Sequence, residues 1–323
     1  MADQVFAGLC GILFFIGIGY GVIRPAMSPL AEDENLPTLR LVQPGIPLIR
    51  SWTRDDARKY YFETLELSEQ KKDEKPDIVI WPESPLPIPL AEEVAAQQHI
   101  AKILKKDGYF IGGTLQQSFT KEGKVKIWNS LIVLNQEGKI THIYDKHLLV
   151  PFGEFVPFRS ILPSGIVKIT SGDTDFSRGK GPETVTIPPY PPFSPLICFE
   201  AIFSGKVIAK GSPRPRWLLN ITNDAWFGQT SGPYQHLQLA RMRSIEEGLP
   251  LIRAANTGIS IVFDSFGVEI KRLGLDKRGV LDVKLPPALK EPTIFAKYGS
   301  LIYIGLMVFV LFMSLIIRSP LKK

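Results

Sequence analysis

The chain has 323 residues, of which 45% are hydrophobic and 22% are charged, and its formal net charge is +6. A disordered chain carries far fewer apolar residues, so this composition excludes disorder and predicts a folded protein with a large core. Three basic residues lie in the C-terminal tail, and no basic stripe with interleaved aromatic residues is present, so nucleic-acid binding is not expected.

The first predicted element is a transmembrane helix at residues 1–24. Residues 5–23 form an apolar run without a charged side chain, and about 20 helical residues cross the hydrocarbon core of a bilayer. A cleaved signal peptide is the alternative, but the leading MADQ contains no basic residue. Gly17 and Gly21 lie one helical turn apart, which favours packing against a partner transmembrane helix.

Residues 25–297 are predicted to form one extramembrane domain, because strand-like and amphipathic segments alternate without a low-complexity linker. Strands are predicted at residues 38–42, 77–81, 109–114, 128–134, 139–144, 195–199, 217–222, 251–255 and 259–264. Helices are predicted at residues 54–70, 91–106, 202–210 and 233–247, and a stiff proline-rich connector at residues 187–195. Hairpins combined with helical crossovers indicate an α/β layered sandwich.

The last predicted element, at residues 298–323, is a second transmembrane helix with a basic tail. Residues 298–317 carry no charge, and Arg318, Lys322 and Lys323 follow them. Basic residues favour the cytoplasmic side of a membrane, which places the middle of the chain outside the cytoplasm. Arg24 and Lys297 then lie on the outer side and oppose this orientation weakly.

Two cysteines are present, Cys10 in the first apolar run and Cys198 in the middle domain. They lie in different parts of the chain, so no disulfide between them is expected. A lone thiol such as Cys198 is either buried as a small apolar group or used as a nucleophile.

Three side chains with catalytic chemistry follow predicted strands. Glu83 comes after the apolar strand that Pro82 ends, Lys146 follows strand 139–144, and Cys198 lies near the end of strand 195–199. Each residue alone is more often structural. Together they fit a nucleophilic site in which a base takes the thiol proton and a cation favours the thiolate. The cation and the backbone N–H of Phe199 would also stabilise an oxyanion.

The sequence contains no motif for other common kinds of catalytic site. The four histidines form no metal-binding motif, and neither a G-x-S-x-G turn nor a phosphate-binding loop is present, so no metal and no cofactor are expected. His236, on the predicted helix 233–247, is more typical of a packed or capped histidine than of a metal ligand. The apolar residues 148–158 are either a lid over a lipid chain or a loop buried against the core. Trp226 and Phe227 either cover the lipid chain in the same way or simply pack.

The motifs around these residues carry a family resemblance. WPES at residues 81–84, YDKHLLVPFGEFVPF at 144–158 and ICFE at 197–200 resemble the nitrilase (carbon-nitrogen hydrolase) superfamily. More narrowly, the chain resembles the apolipoprotein N-acyltransferase family over residues 38–317. The narrower resemblance also rests on NITNDAWFG at 220–228, GPYQHLQLARMR at 232–243, RAANTG at 253–258 and QPGIP at 43–47.

This resemblance implies an αββα sandwich on the outer, periplasmic side of the bacterial inner membrane, flanked by the two transmembrane helices. It implies a two-step transfer, in which phospholipid acylates the cysteine and the amino group of an apolipoprotein's diacylglyceryl cysteine then accepts the acyl chain. By the same resemblance, Glu83 is the general base, Lys146 the oxyanion stabiliser, Cys198 the nucleophile and Glu154 a supporting carboxylate. The implied substrate-binding residues are Trp52, Phe199 and Glu200.

Two departures from the family pattern leave alternatives open. Family members carry several helices before the catalytic domain where this sequence has one, as if it began at the last of them, and Phe199 stands where a tyrosine is familiar. One alternative is a membrane-tethered amidase that hydrolyses a small carbon-nitrogen substrate. The other is a truncated, inactive membrane module.

Overall fold

Two six-stranded sheets form the centre of this computed structural model, which describes residues 2–32, 35–49, 51–70, 75–84, 86–158, 168, 174–211 and 213–318. The first sheet contains, in spatial order, Gly279–Lys284 (β12), Thr38–Gln43 (β1), Ile78–Ile80 (β2), Tyr109–Phe119 (β3), Val125–Asn135 (β4) and Ile140–Asp145 (β5). The second contains Glu269–Leu273 (β11), Ser260–Phe263 (β10), Leu251–Ala255 (β9), Trp217–Thr222 (β8), Tyr190–Ile197 (β7) and Val185–Ile187 (β6).

Each sheet has a parallel centre and antiparallel edges. Strands β1, β2 and β3 are parallel, as are β7, β8 and β9. The carboxyl ends of neighbouring parallel strands meet at one edge of a sheet, where ligands of open α/β sheets usually bind. The residues that follow β7 and β8 therefore emerge side by side.

Alternating side chains of the central strands are buried on both faces, because each sheet is covered on both sides. Ile78 and Ile80 of β2 face the second sheet, while Val79 packs under the helices Arg54–Ser68 (α2) and Val94–Ile103 (α3). On the second sheet, Leu237 of the helix Gly232–Glu247 (α4) packs in the same cluster as residues of β8 and β9. These four layers confirm the predicted αββα sandwich.

Two predicted elements are wrong. No helix forms at residues 202–210, because the short 3-10 helix Cys198–Ile202 ends there and Gly205 adopts a left-handed φ of 68°. The proline-rich residues 187–195 are not a free connector, since Tyr190–Ile197 is a strand. Proline lacks an N–H, but the carbonyls of Pro191 and Pro192 still accept hydrogen bonds from Trp217 and Arg216.

The apolar ends of the chain form helices that contact each other. The first helix, Ala2–Met27 (α1), includes residues 6–27, which are long and apolar enough to cross a membrane. The C-terminal prediction of one long span needs correction, because the short helix Ile294–Tyr298 (α5) ends at Gly299 with a positive φ. The following helix, Leu301–Arg318 (α6), has a shorter apolar stretch, residues 301–316.

Both apolar helices attach to one side of the sandwich. Leu30, just after α1, pairs with Leu289, just before α5. Arg24 of α1 donates a hydrogen bond to the carbonyl of Ile245, near the end of α4, at 2.9 Å. Gly17 and Gly21 do not form the contact between α1 and α6, because a Cβ atom added to either would meet nothing within 4 Å among the described residues. The expected partner for that glycine face stays a prediction.

Candidate active site

A cavity of about 500 Å³ lies where the segments after β2, β5, β7 and β8 meet. Its polar side chains include Glu83, Lys146, Glu154 and Cys198, three of them carried by the first sheet and its loops and one by the second. The rest of the lining is largely apolar, with Val150, Phe199, Ile202, Trp226, Phe227 and Leu239. The site thus joins charged groups to an apolar chamber.

Glu83 is held in a tight turn beyond β2. The backbone N–H of Trp81 still bonds to Ile111 of β3. Pro82 has no N–H, so the turn loses its donor there as predicted, but the Pro82 carbonyl still accepts the N–H of Gly113 at 3.2 Å. The turn lies directly against β3, and a Cβ atom at Gly113 would overlap the backbone of Ser84 and Glu83. Only glycine permits this close approach, which brings the Glu83 side chain to the cavity.

The Glu83 carboxylate accepts hydrogen bonds from both sheets. Its Oε1 accepts from Nδ2 of Asn129 on β4 at 2.7 Å and from Nζ of Lys146 at 3.4 Å. Its Oε2 accepts from the backbone N–H of Asn223, after β8, at 2.8 Å. Three donors fix the orientation of this group.

Lys146 follows β5 and is only 1% exposed. Its Nζ donates to Oε1 of Glu154 at 2.8 Å in addition to Glu83. Burial alone would lower the pKa of the ammonium, but the negative charges of Glu83 and Glu154 raise that pKa above its ordinary value. Lys146 therefore keeps a fixed positive charge in the cavity at neutral pH.

Glu154 connects Lys146 to the apolar loop of residues 148–158. Its Oε2 accepts the backbone N–H of Val150 at 2.9 Å, so the same carboxylate holds both the loop and the ammonium. Within this loop Leu149 and Val156 are buried, whereas Phe152 and Phe158 are exposed. The segment thus combines a packed inner side with an apolar outer side.

Cys198 begins the 3-10 helix that follows β7, and its φ of 50° lies in the left-handed region. This conformation is strained for a residue with a side chain and is typical of functional turns. Burial raises the pKa of the thiol, Glu83 raises it further, and Lys146 opposes them without reversing the shift. The resting group is therefore a neutral thiol, although Lys146 lowers its pKa in the predicted direction.

Glu200 does not line the cavity, because its carboxylate is fully buried behind it. Oε1 accepts the backbone N–H of His147 at 2.7 Å, and Oε2 accepts the backbone N–H of Ile197 at 2.8 Å and the hydroxyl of Tyr144 at 2.9 Å. The expectation that Glu200 binds substrate directly therefore needs correction. The carboxylate instead fixes the segment that carries Lys146 relative to the segment that carries Cys198.

Sequence comparison places these residues within a known family. The family profile described as carbon-nitrogen hydrolase matches residues 38–294, which includes both sheets and the whole cavity. The chain belongs to the carbon-nitrogen hydrolase family. Among solved structures, it is similar to an amidase variant from Nesterenkonia sp. AN1 in complex with acrylamide. That likeness has a TM-score of 0.54 at 18% identity, covers 80% of this chain and 93% of the amidase, and supports the shared fold.

Two curated relatives of this carbon-nitrogen hydrolase carry the same name. Apolipoprotein N-acyltransferase from Rhodopseudomonas palustris is 39% identical over 310 residues, which are 93% of this chain and 57% of the relative. Apolipoprotein N-acyltransferase from Bradyrhizobium diazoefficiens is 38% identical over 290 residues, which are 87% of this chain and 53% of the relative. The chain spans about half the length of the curated relatives it matches.

Two other residues expected in the site of this carbon-nitrogen hydrolase lie on different sides of Glu83. Phe199 lines the main cavity, with its ring edge-on to Phe203 at 5.0 Å between centroids. Trp52 lines a second cavity of about 250 Å³ on the other side. Glu83, Glu154 and Trp226 border both cavities. The charged centre is thus accessible to two separate chambers.

Among the residues that the structure describes, no group of three or more histidine, cysteine, aspartate or glutamate side chains is arranged to hold a metal ion. His236 is buried and hydrogen-bonded, as its position on the predicted helix indicated.

Two residues of the site were not found from the sequence. Asn129 lies in the middle of β4, where its amide reaches both Glu83 and Glu154, and nothing in the pattern of the strand marks it. Asn223 contributes a backbone N–H, which no residue type signals. The segment NITNDAWFG was recognised only as part of the family resemblance.

Proposed function

We propose that this chain is the catalytic part of an apolipoprotein N-acyltransferase. It moves a fatty acyl chain from phospholipid, through a thioester on Cys198, to the N-terminal diacylglyceryl cysteine of an apolipoprotein. The observation that carries the proposal is a partly buried thiol, a buried carboxylate and a buried ammonium at the wall of an apolar cavity of about 500 Å³. The names of relatives at 38–39% identity support it.

In the first step, Cys198 attacks the ester carbonyl of a phospholipid. The thiol is protonated at neutral pH, so a base is needed, and Glu83 takes the proton as the C–S bond forms. Lys146 and the backbone N–H of Phe199 stabilise the oxyanion. The ester C–O bond then breaks, the proton passes from Glu83 to the departing alcohol oxygen, and lysophospholipid leaves.

In the second step, the acceptor amine attacks the thioester. The C–N bond forms through the same oxyanion, the C–S bond breaks, and the proton released by the amine reaches the Cys198 sulfur through Glu83. The product is an amide, and the free thiol is regenerated. Splitting the transfer in this way lets one cavity serve donor and acceptor in turn.

The apolar lining suits this chemistry better than it suits a small polar amide. Phe199, Ile202 and Leu239 offer contact to a hydrocarbon chain and keep water from the thioester. Trp226 and Phe227, both partly exposed, lie at the cavity as well. We assign residues 148–158 as a lid over the bound chain, because Phe152 and Phe158 present an exposed apolar side.

The proposed location is the outer side of the bacterial inner membrane. Helix α1 has the length and composition to cross a bilayer, and α6 contacts it. Arg318, Lys322 and Lys323 favour a cytoplasmic C-terminus. The proposed division is a transmembrane helix at residues 1–24, the catalytic domain at 25–297, and a transmembrane helix and tail at 298–323.

Intact-mass analysis tests the proposal. The full chain in detergent is incubated with a phospholipid of defined acyl chains, and we expect a mass gain equal to one acyl group in the wild type and none in Cys198→Ala. Addition of a synthetic diacylglyceryl-cysteine peptide should remove that gain and increase the peptide mass by the same amount. A gain that survives the substitution, or none in the wild type, contradicts the proposal.

The same samples distinguish the alternatives. Release of ammonia from small amides without lipid-derived acylation would favour a membrane-tethered amidase. A folded protein that forms no adduct with either class of substrate would favour an inactive module.

A further inference from the structure

A buried network of polar side chains lies next to Cys198, on the second sheet and the helices beside it, and one member, His236, also lines the main cavity. Asn220 and Arg253 are fully buried, and Asp224 and His236 are nearly so. Arg253 donates to Oδ2 of Asp224 at 2.8 Å and also to Oδ1 of Asn220. Nδ1 of His236 lies 3.0 Å from Oδ1 of Asp224. Asn220 lies on β8, Asp224 begins the 3-10 helix Asp224–Phe227, His236 lies on α4 and Arg253 on β9, so the network links four elements next to the nucleophile.

Two members of the network converge on one atom, the carbonyl oxygen of Cys198. Nε2 of His236 lies 3.2 Å from it, and Nδ2 of Asn220 lies 3.3 Å from it. A carbonyl oxygen only accepts, so this contact is a hydrogen bond in the tautomer that carries the proton on Nε2. In that tautomer Nδ1 accepts from the Arg253 guanidinium, whose nitrogen lies 3.1 Å away.

The peptide group between Cys198 and Phe199 links the orientation of the Cys198 carbonyl to that of the Phe199 N–H. A trans peptide is planar, and its C=O and N–H point in opposite directions. Fixing the Cys198 carbonyl toward His236 therefore turns the Phe199 N–H away from the network. An N–H in the first turn of a helix has no acceptor within that helix, so it is free to bind an oxyanion.

We propose that Asp224, His236, Arg253 and Asn220 are positioning residues that orient the Cys198–Phe199 peptide and so aim the Phe199 N–H at the oxyanion. Arg253 bonds to Asp224 and Asn220, and Asp224 contacts His236. His236 and Asn220 in turn contact the Cys198 carbonyl. The network also stabilises the left-handed φ of Cys198 that places the thiol in the cavity. This inference rests on the proposed function only in taking Cys198 as the nucleophile.

The test compares two reactions of the same sulfur. Acylation by p-nitrophenyl butyrate passes through an oxyanion, whereas alkylation by iodoacetamide does not. The variants are His236→Phe, which keeps a ring without a donor, and His236→Gln, whose amide can still donate to the Cys198 carbonyl. His99→Phe, on α3 away from the cavity, is the matched control.

We expect His236→Phe to slow butyrylation of Cys198 by about 10-fold or more, since losing one oxyanion donor costs roughly 100-fold and Asn220 still holds the carbonyl. Alkylation should stay within about 2-fold of the wild type, and His236→Gln should recover most of the butyrylation rate. The control should match the wild type in both reactions.

Equal losses in the two reactions would overturn the inference, because they would indicate a general disturbance of the fold. An unchanged butyrylation rate in His236→Phe would overturn it as well, as would a wild-type Cys198 that is not butyrylated. A wild type that is butyrylated, with variants behaving as expected, but that takes no acyl group from phospholipid would contradict the proposed function and support this inference.

Discussion

The backbone N–H of Asn223 donates a hydrogen bond to the carboxylate of Glu83 at 2.8 Å, across 140 positions of sequence. Glu83 follows a strand of the first sheet and Asn223 a strand of the second. The proposed base is therefore positioned by a main-chain group of the opposite sheet. Its geometry depends on how the two sheets pack rather than on its own loop alone.

Glu83→Gln should slow formation of the Cys198 adduct by about 100-fold to 10,000-fold, the usual contribution of a general base. The side-chain shape is kept, but glutamine offers one acceptor oxygen to three donors, Asn129, Lys146 and Asn223. One buried donor then loses its partner, which should also lower the free energy of unfolding by about 1–3 kcal/mol. Mass spectrometry under single-turnover conditions measures the adduct, and Glu137→Gln on the surface is the control. An adduct rate equal to that of the wild type would exclude Glu83 as the base.

Lys146→Met should destabilise the fold as well as remove activity. Two buried carboxylates, Glu83 and Glu154, lose their common cation, and breaking a buried ion pair costs about 3–5 kcal/mol. Chemical unfolding in detergent measures the change. Lys139→Met, at an exposed pair with Glu137, should show no measurable change, and a similarly small effect of Lys146→Met would contradict the buried-pair assignment.

Stability should fall between pH 8 and pH 10 in the wild type and fall less in Cys198→Ser. The folded protein raises the pKa of this thiol above its ordinary value of 9.0, so the unfolded chain releases the proton first as the pH rises. The stabilising contribution is complete below pH 9 and is lost above it. At pH 10 the loss should reach about 1.4 kcal/mol, the equivalent of one pH unit.

Lys146 does not confound this comparison. Lys146 is present in both proteins, and Glu83 and Glu154 raise its pKa above the ordinary value of 10.5 in each, so its contribution is lost mainly above pH 10 and largely cancels in the comparison. Unfolding free energies of both proteins at pH 8 and pH 10 give the difference directly. Equal pH dependence in wild type and Cys198→Ser would show that burial does not raise the thiol pKa.

Gly113→Ala should displace the turn that carries Glu83. The added methyl group would overlap the backbone of Ser84 and Glu83, and neither can move without separating β3 from the turn. Overpacking of this kind costs about 1–3 kcal/mol and should also slow adduct formation. Gly274→Ala, where the new atom would make only an ordinary contact with Lys277, is the control. Unfolding and single-turnover assays of both variants measure the two effects.

The centre of the fold could be predicted because its strands are apolar on both faces. Strands β8 and β9 begin and end at the predicted residues. Strand β11, with the sequence EIKRL, was missed because it lies at an edge of the sheet and four of its five side chains are exposed. Such a strand is held by backbone pairing with β10, which hydrophobic periodicity does not detect.

In the site, too, the sequence marks some residues and not others. Glu83, Lys146, Glu154 and Cys198 were predicted from strand ends and family motifs, and the structure brings them to one cavity. The role of Glu200 was misjudged, because a motif indicates proximity and not the direction of a side chain. The bond from His236 to the Cys198 carbonyl was beyond prediction, since it depends on the peptide orientation set by a φ of 50°.

The four hydrogen bonds that the Glu200 carboxylate accepts have a consequence for how the candidate site is assembled. Its donors Tyr144, His147 and Leu148 belong to the first sheet and its loop, and Ile197 to the second. Neither half of the chain contains all three of Glu83, Lys146 and Cys198. The two sheets must therefore pack together before the candidate site is complete.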